Sequence, residues 1–82
     1  MTGMGETTTL DLRGLSCPLP VLKANKALKA LQPGATLAVL ATDPAAVTDF
    51  HAYAGETGHE LLAWAEDPPG EYRFVLRRRA AP

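Results

Sequence analysis

The residues best suited to chemistry are a lone cysteine, Cys17, and the two prolines that follow it. Proline fits the first position of a helix, because its missing N–H would have no partner there. Pro18 is therefore predicted to begin a helix, with Cys17 as its N-cap and Pro20 within the first turn. A thiol at a helix N-terminus faces the positive end of the helix dipole and free backbone N–H groups, which favour the thiolate. The segment predicts a nucleophilic sulfur.

The prolines also limit what can surround the sulfur. Because Pro18 and Pro20 have no N–H, the nearest donors that could face the sulfur belong to Leu19 and Val21. Both rings hold φ at about −65°, so the first turn is stiff and fixes the direction of the Cβ–Sγ bond. The alternative is a buried cysteine that packs as a small hydrophobic residue. Flanking prolines at a strand-to-helix junction favour an exposed thiol.

The hydrophobic pattern indicates the elements that must position this cysteine. Alternating or continuous apolar runs predict four strands, at 7–13, 35–41, 60–65 and 72–78. One helix is predicted at 18–31, and a second begins at Pro44, after Asp43 as its N-cap, and is stopped by Gly55 and Gly58. The predicted inward faces are Val21, Ala24, Leu28 and Leu31 in the first helix, and Val47, Phe50, His51 and Ala54 in the second.

This element order, βαβαββ, predicts an α/β (α+β) two-layer sandwich with a four-stranded mixed sheet. Right-handed crossovers make the early strands parallel and put both helices on one face of the sheet, and the last two strands form a hairpin. If the first two strands are adjacent, their strand-to-helix loops share one end of the sheet, where sites of such sheets tend to lie. We therefore expect Cys17 and Asp43 to be neighbours.

Length and composition restrict the function classes. The 82 residues, 46% hydrophobic, predict a single small domain at 7–79 with a flexible N-terminus at 1–6 and a tail at 80–82. No apolar run approaches the roughly 20 residues that span a bilayer, and one cysteine cannot form an internal disulfide. We expect a cytoplasmic protein with a reduced thiol. A net charge of −1 argues against stable nucleic-acid binding.

The chain carries, in this order, the motifs Asp11-x-x-Gly14-x-x-Cys17-Pro18-x-Pro20, Asp43-Pro44 and Gly58-His59-Glu60. The order, with a lysine-bearing helix after the first motif, resembles the TusA (SirA-like) family of small sulfur carriers over residues 10–78. The Cys-Pro-x-Pro element at a strand-to-helix junction is the specific part. The other two motifs are informative only in this order.

The resemblance implies that Cys17 carries sulfane sulfur as a persulfide. The sulfur would come from a protein donor, a cysteine desulfurase or a rhodanese-like protein, and pass to a protein acceptor. Outlets of the family include tRNA thiolation, molybdenum-cofactor metabolism and sulfur oxidation. The chain would then be a sulfurtransferase that acts mainly as a stoichiometric carrier, with no membrane contact, no metal and no cofactor beyond the transient persulfide.

Several residues are candidates for supporting roles. Within the motif, Pro18, Leu19 and Pro20 would support the thiolate, and Gly14 would permit the tight turn before it. Lys23 and Lys26 would dock a partner, or simply face solvent. Arg13 would help to hold a negative persulfide, or be an ordinary solvent-facing strand residue. Asp43 is foremost a helix cap, with a partner contact as its second role.

Three other function classes remain open from the residues alone. Cys17, His51 and His59 are thiolate and imidazole groups, the usual ligands of zinc, although no Cys-x-x-Cys or close histidine pair is present. A cysteine–histidine hydrolase would use either histidine as the base. A non-catalytic regulatory or interaction module would use the lysine-bearing helix. Retained partner binding and activity in Cys17→Ser would favour this last class.

Overall fold

The computed structural model describes residues 7–80. Its elements are β1 (Thr7–Asp11), α1 (Leu19–Lys29), β2 (Thr36–Ala41), α2 (Ala45–Thr57), β3 (Glu60–Glu66) and β4 (Tyr72–Arg77). This is the predicted βαβαββ order, with bounds that differ from the predicted ones by one or two residues for the strands and the first helix. The predicted flexible segment 1–6 and the last two residues of the predicted tail lie outside the described residues.

The four strands form one mixed sheet in the order β1-β2-β4-β3. β1 is parallel to β2, and β4 is antiparallel to both β2 and β3. The first two strands are adjacent, which is the condition for Cys17 and Asp43 to meet, and the predicted hairpin is confirmed. Since β4 lies between β2 and β3, the α2 crossover spans two strand positions, and only the β1–α1–β2 unit joins direct neighbours.

The core lies between the sheet and the two helices, which pack on the same face, as predicted. Alternate residues of β2 and β4 point to this face, and Phe74 of β4 stacks on Phe50 of α2 with ring centroids 4.6 Å apart. Burying a side chain of this size stabilises a fold by about 1.5–3 kcal/mol. The other buried apolar side chains of this cluster are Leu12, Ala24, Leu28, Leu37, Val39, Ala41, Ala46, Tyr53, Tyr72 and Leu76.

The first helix begins one residue later than predicted. Its first helical residue is Leu19, the flanking N-cap position is Pro18, and no side chain caps it. Cys17 therefore precedes the cap, and the prediction of Cys17 as N-cap is wrong. Pro20 lies within the first turn, as predicted, and is buried.

The second helix also begins one residue later, at Ala45 rather than Pro44. Gly58 ends it in the left-handed conformation, with φ of +83°, and donates its N–H to the carbonyl of Ala54. Gly58 is thus the predicted stop, because a residue with a Cβ adopts this φ only at a cost. Gly55 lies inside the helix and does not stop it.

The buried face of α2 differs from the predicted one by about one residue. Its buried residues are Ala46, Phe50 and Tyr53, which recur at the spacing of a single helical stripe. His51 is exposed, so its predicted inward position is wrong; its Nδ1–H donates to the carbonyl of Val47. The prediction failed because Val47, which is only half-buried, was taken as the start of the stripe in place of Ala46.

Candidate functional site

Cys17 lies on the loop between β1 and α1, and its thiol is exposed, as predicted. The loop turns at Gly14, where φ is +87°. The N–H of Gly14 donates to Oγ1 of Thr42 over 2.9 Å. The peptide bond between Cys17 and Pro18 is cis. The cysteine is therefore held on a short connection that is itself fastened to the loop after β2.

The Asp43 carboxylate joins the same two loops by accepting a hydrogen bond from each junction. One carboxylate oxygen, Oδ2, accepts the backbone N–H of Cys17 over 2.7 Å, and the other, Oδ1, accepts the N–H of Ala45 over 3.0 Å. These two N–H groups lower the pKa of Asp43, because they stabilise its charged form. The predicted meeting of Cys17 and Asp43 at one end of the sheet is confirmed. Asp43 caps α2 and positions the cysteine backbone with one carboxylate.

Asp49, in the second turn of α2, is a site residue that the sequence did not reveal. Hydrogen bonding to Asp49, then desolvation, then the negative charges of Asp49 and Asp43 raise the pKa of the Cys17 thiol above its ordinary value. The expected lowering of the pKa by the helix start is wrong for this conformation, since two carboxylates oppose it.

The helix N-terminus does little to counter these charges. The sulfur lies two residues before the first helical residue, and the N–H of Leu19 donates to the carbonyl of Ser16 over 2.8 Å. The influence of a helix dipole falls off within the first turn. Leu19 therefore does not supply the free N–H that the sequence predicted.

A signal for Asp49 exists, although it is not local. Because β1 and β2 are parallel neighbours, the N-terminal turns of α1 and α2 lie side by side above the same end of the sheet. The two helices are also joined by Tyr53, whose hydroxyl donates to Asn25 Oδ1 over 2.8 Å. An acidic residue in the early turns of the second helix was therefore the candidate neighbour of Cys17, once the strand order was known.

The Arg13 side chain forms ion pairs with two carboxylates. Its guanidinium contacts Asp11 over 2.7 Å and Glu71 over 3.4 Å. These carboxylates raise the pKa of Arg13, and Arg13 lowers the pKa of Asp11 to about 2. The predicted role of Arg13 in holding a negative persulfide would require this exposed ion pair to open.

One face of α1 next to Cys17 is both apolar and basic. Leu19 and Leu22 are 42% and 56% exposed, and Lys23 and Lys26 are exposed beside them. The four positions follow the i, i+3, i+4, i+7 spacing of one helical stripe. We call this stripe the α1 face. The lysines were predicted for docking, whereas no docking role was predicted for the two exposed leucines.

The three residues of the alternative metal site do not come together. His59 is 9% exposed, and its Nδ1 accepts the N–H of Arg79 over 3.0 Å. The ring of His51 contacts Trp64 at the far edge of the sheet. Within residues 7–80, no group of three or more His, Cys, Asp or Glu side chains is arranged to hold a metal ion. The Nδ1 atoms of His51 and His59 are bonded to the backbone of Val47 and Arg79, so the structure gives neither histidine a contact with the thiol that the base of a hydrolase would make.

Two further features lie outside this site. A shallow depression of about 130 Å³ on β3 and β4 is lined by Ala63, Trp64, Ala65, Arg73 and Val75. In the part of the chain that the structure describes, no helix has the length and apolar character needed to cross a bilayer.

Comparisons with known proteins agree with the fold and identify the family. Residues 8–78 match the family model described as Sulfurtransferase TusA. The chain is 46% identical over 69 residues to the sulfur carrier protein TusA of Allochromatium vinosum, which covers 84% of this chain and 90% of that protein. It is 39% identical over 80 residues to the sulfur carrier protein TusA of Pseudomonas entomophila, covering 98% of this chain and 99% of that protein.

Among solved structures, the crystal structure of a SirA-like protein from Desulfitobacterium hafniense has the same fold. Its TM-score is 0.76 at 24% identity, and the match covers 90% of this chain and 99% of that chain. The predicted two-layer architecture is therefore confirmed.

Proposed function

Since the chain belongs to the TusA family of sulfurtransferases, we propose that it is a sulfur carrier that holds sulfane sulfur as a persulfide on Cys17. The observation that carries this proposal is the exposed thiol of Cys17, whose backbone is tied to Asp43 at the junction of two loops. A reactive atom that must meet two different proteins has to be accessible and held in a constant direction. The thiol of Cys17 is exposed, and its backbone N–H is held by Asp43.

The loading step moves one sulfur atom without net redox change. The Cys17 sulfur bonds to the outer sulfur of a donor persulfide, and the donor S–S bond breaks with its electron pair on the donor cysteine. The proton lost from the Cys17 thiol ends on that donor sulfur, leaving Cys17–S–SH and a donor thiol. In the return step an acceptor thiolate attacks the outer sulfur, and the Cys17 thiolate leaves.

The presence of a single cysteine determines how this protein would transfer sulfur. Because the chain has no second thiol to displace the cargo, the persulfide stays on Cys17 until a partner removes it. The protein acts as a stoichiometric carrier more than as a catalyst with turnover of its own. Its donor is proposed to be a cysteine desulfurase or a rhodanese-like protein, and its acceptor another protein, in tRNA thiolation, cofactor metabolism or sulfur oxidation. A cytoplasmic location stays a prediction.

Partner docking is proposed to use the α1 face. Exposed leucines with lysines beside them suit a partner surface that is apolar in its centre and acidic at its rim. Leu19 and Leu22 lie on the turn that follows Cys17, so a protein seated on them would approach the sulfur. Asp43, half-buried and holding two N–H groups, is proposed as a structural residue of the site.

Intact-mass spectrometry tests the carrier function. The wild-type chain, incubated with a cysteine desulfurase and cysteine, should gain about 32 Da, one sulfur atom, and lose it with a thiol reductant. Cys17→Ser should gain nothing, and Ser16→Ala, which changes the neighbouring hydroxyl, should load as the wild type does. A mass gain that persists in Cys17→Ser would contradict the proposal.

A further inference from the structure

The loop that carries Cys17 is held at both of its ends by one short segment after β2. Its first residue, Gly14, donates its N–H to Oγ1 of Thr42 over 2.9 Å. Its last residue, Cys17, donates its N–H to Oδ2 of Asp43 over 2.7 Å. Two consecutive side chains therefore hold the two ends of the cysteine loop.

The position of Thr42 in the fold makes it a firm anchor. It directly follows β2, whose last residue, Ala41, is fully buried. The pairing of the first two strands also continues to this end of the sheet, because Leu12 donates its N–H to the carbonyl of Leu40 over 2.8 Å. An anchor at the end of a buried strand moves with the sheet, so it holds the loop in a constant position relative to the core.

The contact of Thr42 with Gly14 is separate from the contacts of Asp43. The oxygens of Asp43 accept the N–H groups of Cys17 and Ala45. With the bond to Cys17 alone, the loop could rotate about a single fixed point, and the direction of the cysteine side chain would rotate with it. A second fixed point at Gly14 opposes this rotation. The direction of the sulfur therefore depends on the hydroxyl of Thr42 as well as on Asp43.

We propose that Thr42 is a positioning residue for Cys17: its hydroxyl oxygen holds the start of the cysteine loop, so that the sulfur points along the line on which a partner's persulfide approaches. This inference deepens the proposed carrier function and rests on it. In the transfer step the attacking sulfur must lie roughly in line with the S–S bond that breaks, and a misplacement of about 1 Å can slow a reaction by about a hundredfold. A residue that does not touch the reacting atoms can therefore control the transfer rate.

Thr42→Val tests the role of the hydroxyl, because valine has nearly the same shape and cannot accept a hydrogen bond. Gly14 is exposed, so water can replace the lost acceptor and the fold should lose little stability. Thr42→Ser keeps the hydroxyl and should behave as the wild type.

Thr57→Val is the matched control. Thr57 is half-buried, as Thr42 is, and its Oγ1 also accepts a backbone N–H, that of His59 over 3.3 Å. It lies at the opposite end of the sheet, next to the start of β3. Its substitution removes an equivalent hydrogen bond without touching the cysteine loop.

Single-turnover transfer from a persulfidated cysteine desulfurase gives the main measurement. As the carrier concentration increases, the transfer rate reaches a plateau that reports the reaction, and the half-saturating concentration reports docking. In Thr42→Val the plateau rate should fall by about tenfold, and the half-saturating concentration should stay within about twofold of the wild-type value. Thr42→Ser and Thr57→Val should keep the wild-type plateau. An unchanged plateau in Thr42→Val, or a fall that serine does not prevent, overturns the proposal.

Alkylation of the thiol by iodoacetamide separates direction from reactivity. This small reagent can approach the sulfur from many sides, and Thr42→Val removes no charge. Both the rate and the midpoint of its pH profile should therefore match the wild type. A shifted midpoint would mean that the variant changes the acidity of the thiol instead of its direction, and it would contradict the positioning role.

Amide hydrogen exchange, measured residue by residue by NMR, needs no partner. In Thr42→Val the amide of Gly14 should exchange faster, and so should that of Cys17, although Asp43 still accepts its hydrogen bond. The amide of Ala45, which is bonded to the same carboxylate, should not change. Faster exchange at Gly14 alone would show that Thr42 does not order the cysteine, and the proposal would fail.

These measurements distinguish the inference from the carrier function on which it rests. If the wild-type protein takes up no sulfur while exchange at Cys17 still depends on Thr42, the proposed function fails and the anchoring role stands. If the wild type is loaded and Thr42→Val is loaded equally fast, the carrier function stands and the positioning role fails.

Discussion

The two strand-to-helix junctions of this protein share a sequence pattern, a residue followed by proline, but the residue before the proline has a different role in each. Each helix is preceded by a proline, Pro18 before α1 and Pro44 before α2. At the second junction Asp43 accepts the N–H of Ala45 and caps its own helix. At the first junction the corresponding residue is Cys17, which caps nothing and leaves its thiol exposed.

The comparison shows that the fold leaves the side chain of Cys17 without a capping role, so that its thiol is available for chemistry. Cys17 precedes the cap position of α1, and the N–H of Leu19 is bonded to the carbonyl of Ser16, so the side chain at position 17 is not used as a cap. The second junction holds the cysteine instead, because the other oxygen of Asp43 accepts the N–H of Cys17. One carboxylate orders both loops. The exposed sulfur and the stable frame are thus built from neighbouring residues with separate tasks.

Of the predicted changes, removing the sulfur should have the largest effect on sulfur loading. It should also separate the chemical role of Cys17 from the structural role of Asp43. In Cys17→Ser, sulfur loading should be lost completely, because no other thiol exists in the chain. The melting temperature should stay within about 2 °C of the wild type, since surface substitutions that leave the backbone hydrogen bonds intact change stability by about 0.5 kcal/mol or less. Mass spectrometry and thermal unfolding measure the two quantities. A large loss of stability would mean that the thiol itself is part of the frame.

Strain at the turn before Cys17 should be the next largest effect. Gly14 has φ of +87°, and a Cβ there would meet no atom within 4 Å. Gly14→Ala should therefore cost only the left-handed conformation, about 1–2 kcal/mol, which lowers the melting temperature by roughly 5–10 °C in a domain of this size. Sulfur loading should also slow, because the turn aims the cysteine loop.

Gly34 offers a matched control for that prediction. It has the same φ of +87° and the same free space, but it precedes β2 at the opposite end of the sheet. Gly34→Ala should lower the melting temperature by a similar amount and leave loading unchanged. If both variants slow loading equally, general destabilisation rather than the aim of the loop is responsible.

The apolar part of the α1 face should matter for partners and not for the fold. Leu22 is 56% exposed, so Leu22→Ser should leave the melting temperature unchanged. Binding to the sulfur donor should weaken by about tenfold, since truncating an interface anchor costs more than about 1 kcal/mol. Leu62→Ser is the control, because Leu62 is similarly exposed on β3 and far from the site along the sheet. Equal weakening by both variants would contradict docking on the α1 face.

Most of the fold was predictable because its signals are local. Alternating and helical hydrophobic patterns, with prolines and glycines at the ends of elements, indicated all six elements and the order in which they occur. The ends were off by a residue or two, since Leu12 and Leu31 continue the apolar pattern beyond β1 and α1. The buried face of α2 was misplaced because Val47, a half-buried residue, resembles a core residue in sequence.

The features of the site can also be divided into those that the sequence predicted and those that it did not. Cys17 and its neighbour Asp43 followed from the motif and from parallel strands, which are short-range and topological arguments. The raised pKa of the thiol did not, because it depends on which carboxylates the fold brings near the sulfur. A helix start alone favoured thiolate, and hydrogen bonding to Asp49, desolvation and the negative charges of Asp49 and Asp43 oppose it.

Acid titration should give the smallest effect and test whether one carboxylate serves both junctions. The pKa of Asp43 is lowered from 3.8 by the N–H groups of Cys17 and Ala45. Its contribution to stability is therefore present above about pH 3.8 and is lost as the pH falls through the lower folded-state value. Asp43→Ala should melt a few degrees below the wild type at neutral pH, and this gap should narrow below pH 3.8. Glu56→Gln should show no such gap.

Hydrogen exchange completes this test, because it reports the two junctions separately. In Asp43→Ala, the amides of Cys17 and Ala45 should both exchange faster than in the wild type, since each loses its acceptor. The amide of Gly14, which is held by Thr42, should change less. If only Ala45 exchanges faster, Asp43 is an ordinary helix cap and the first junction is ordered by its own residues. Faster exchange at both would mean that the cysteine loop depends on the second junction for its order.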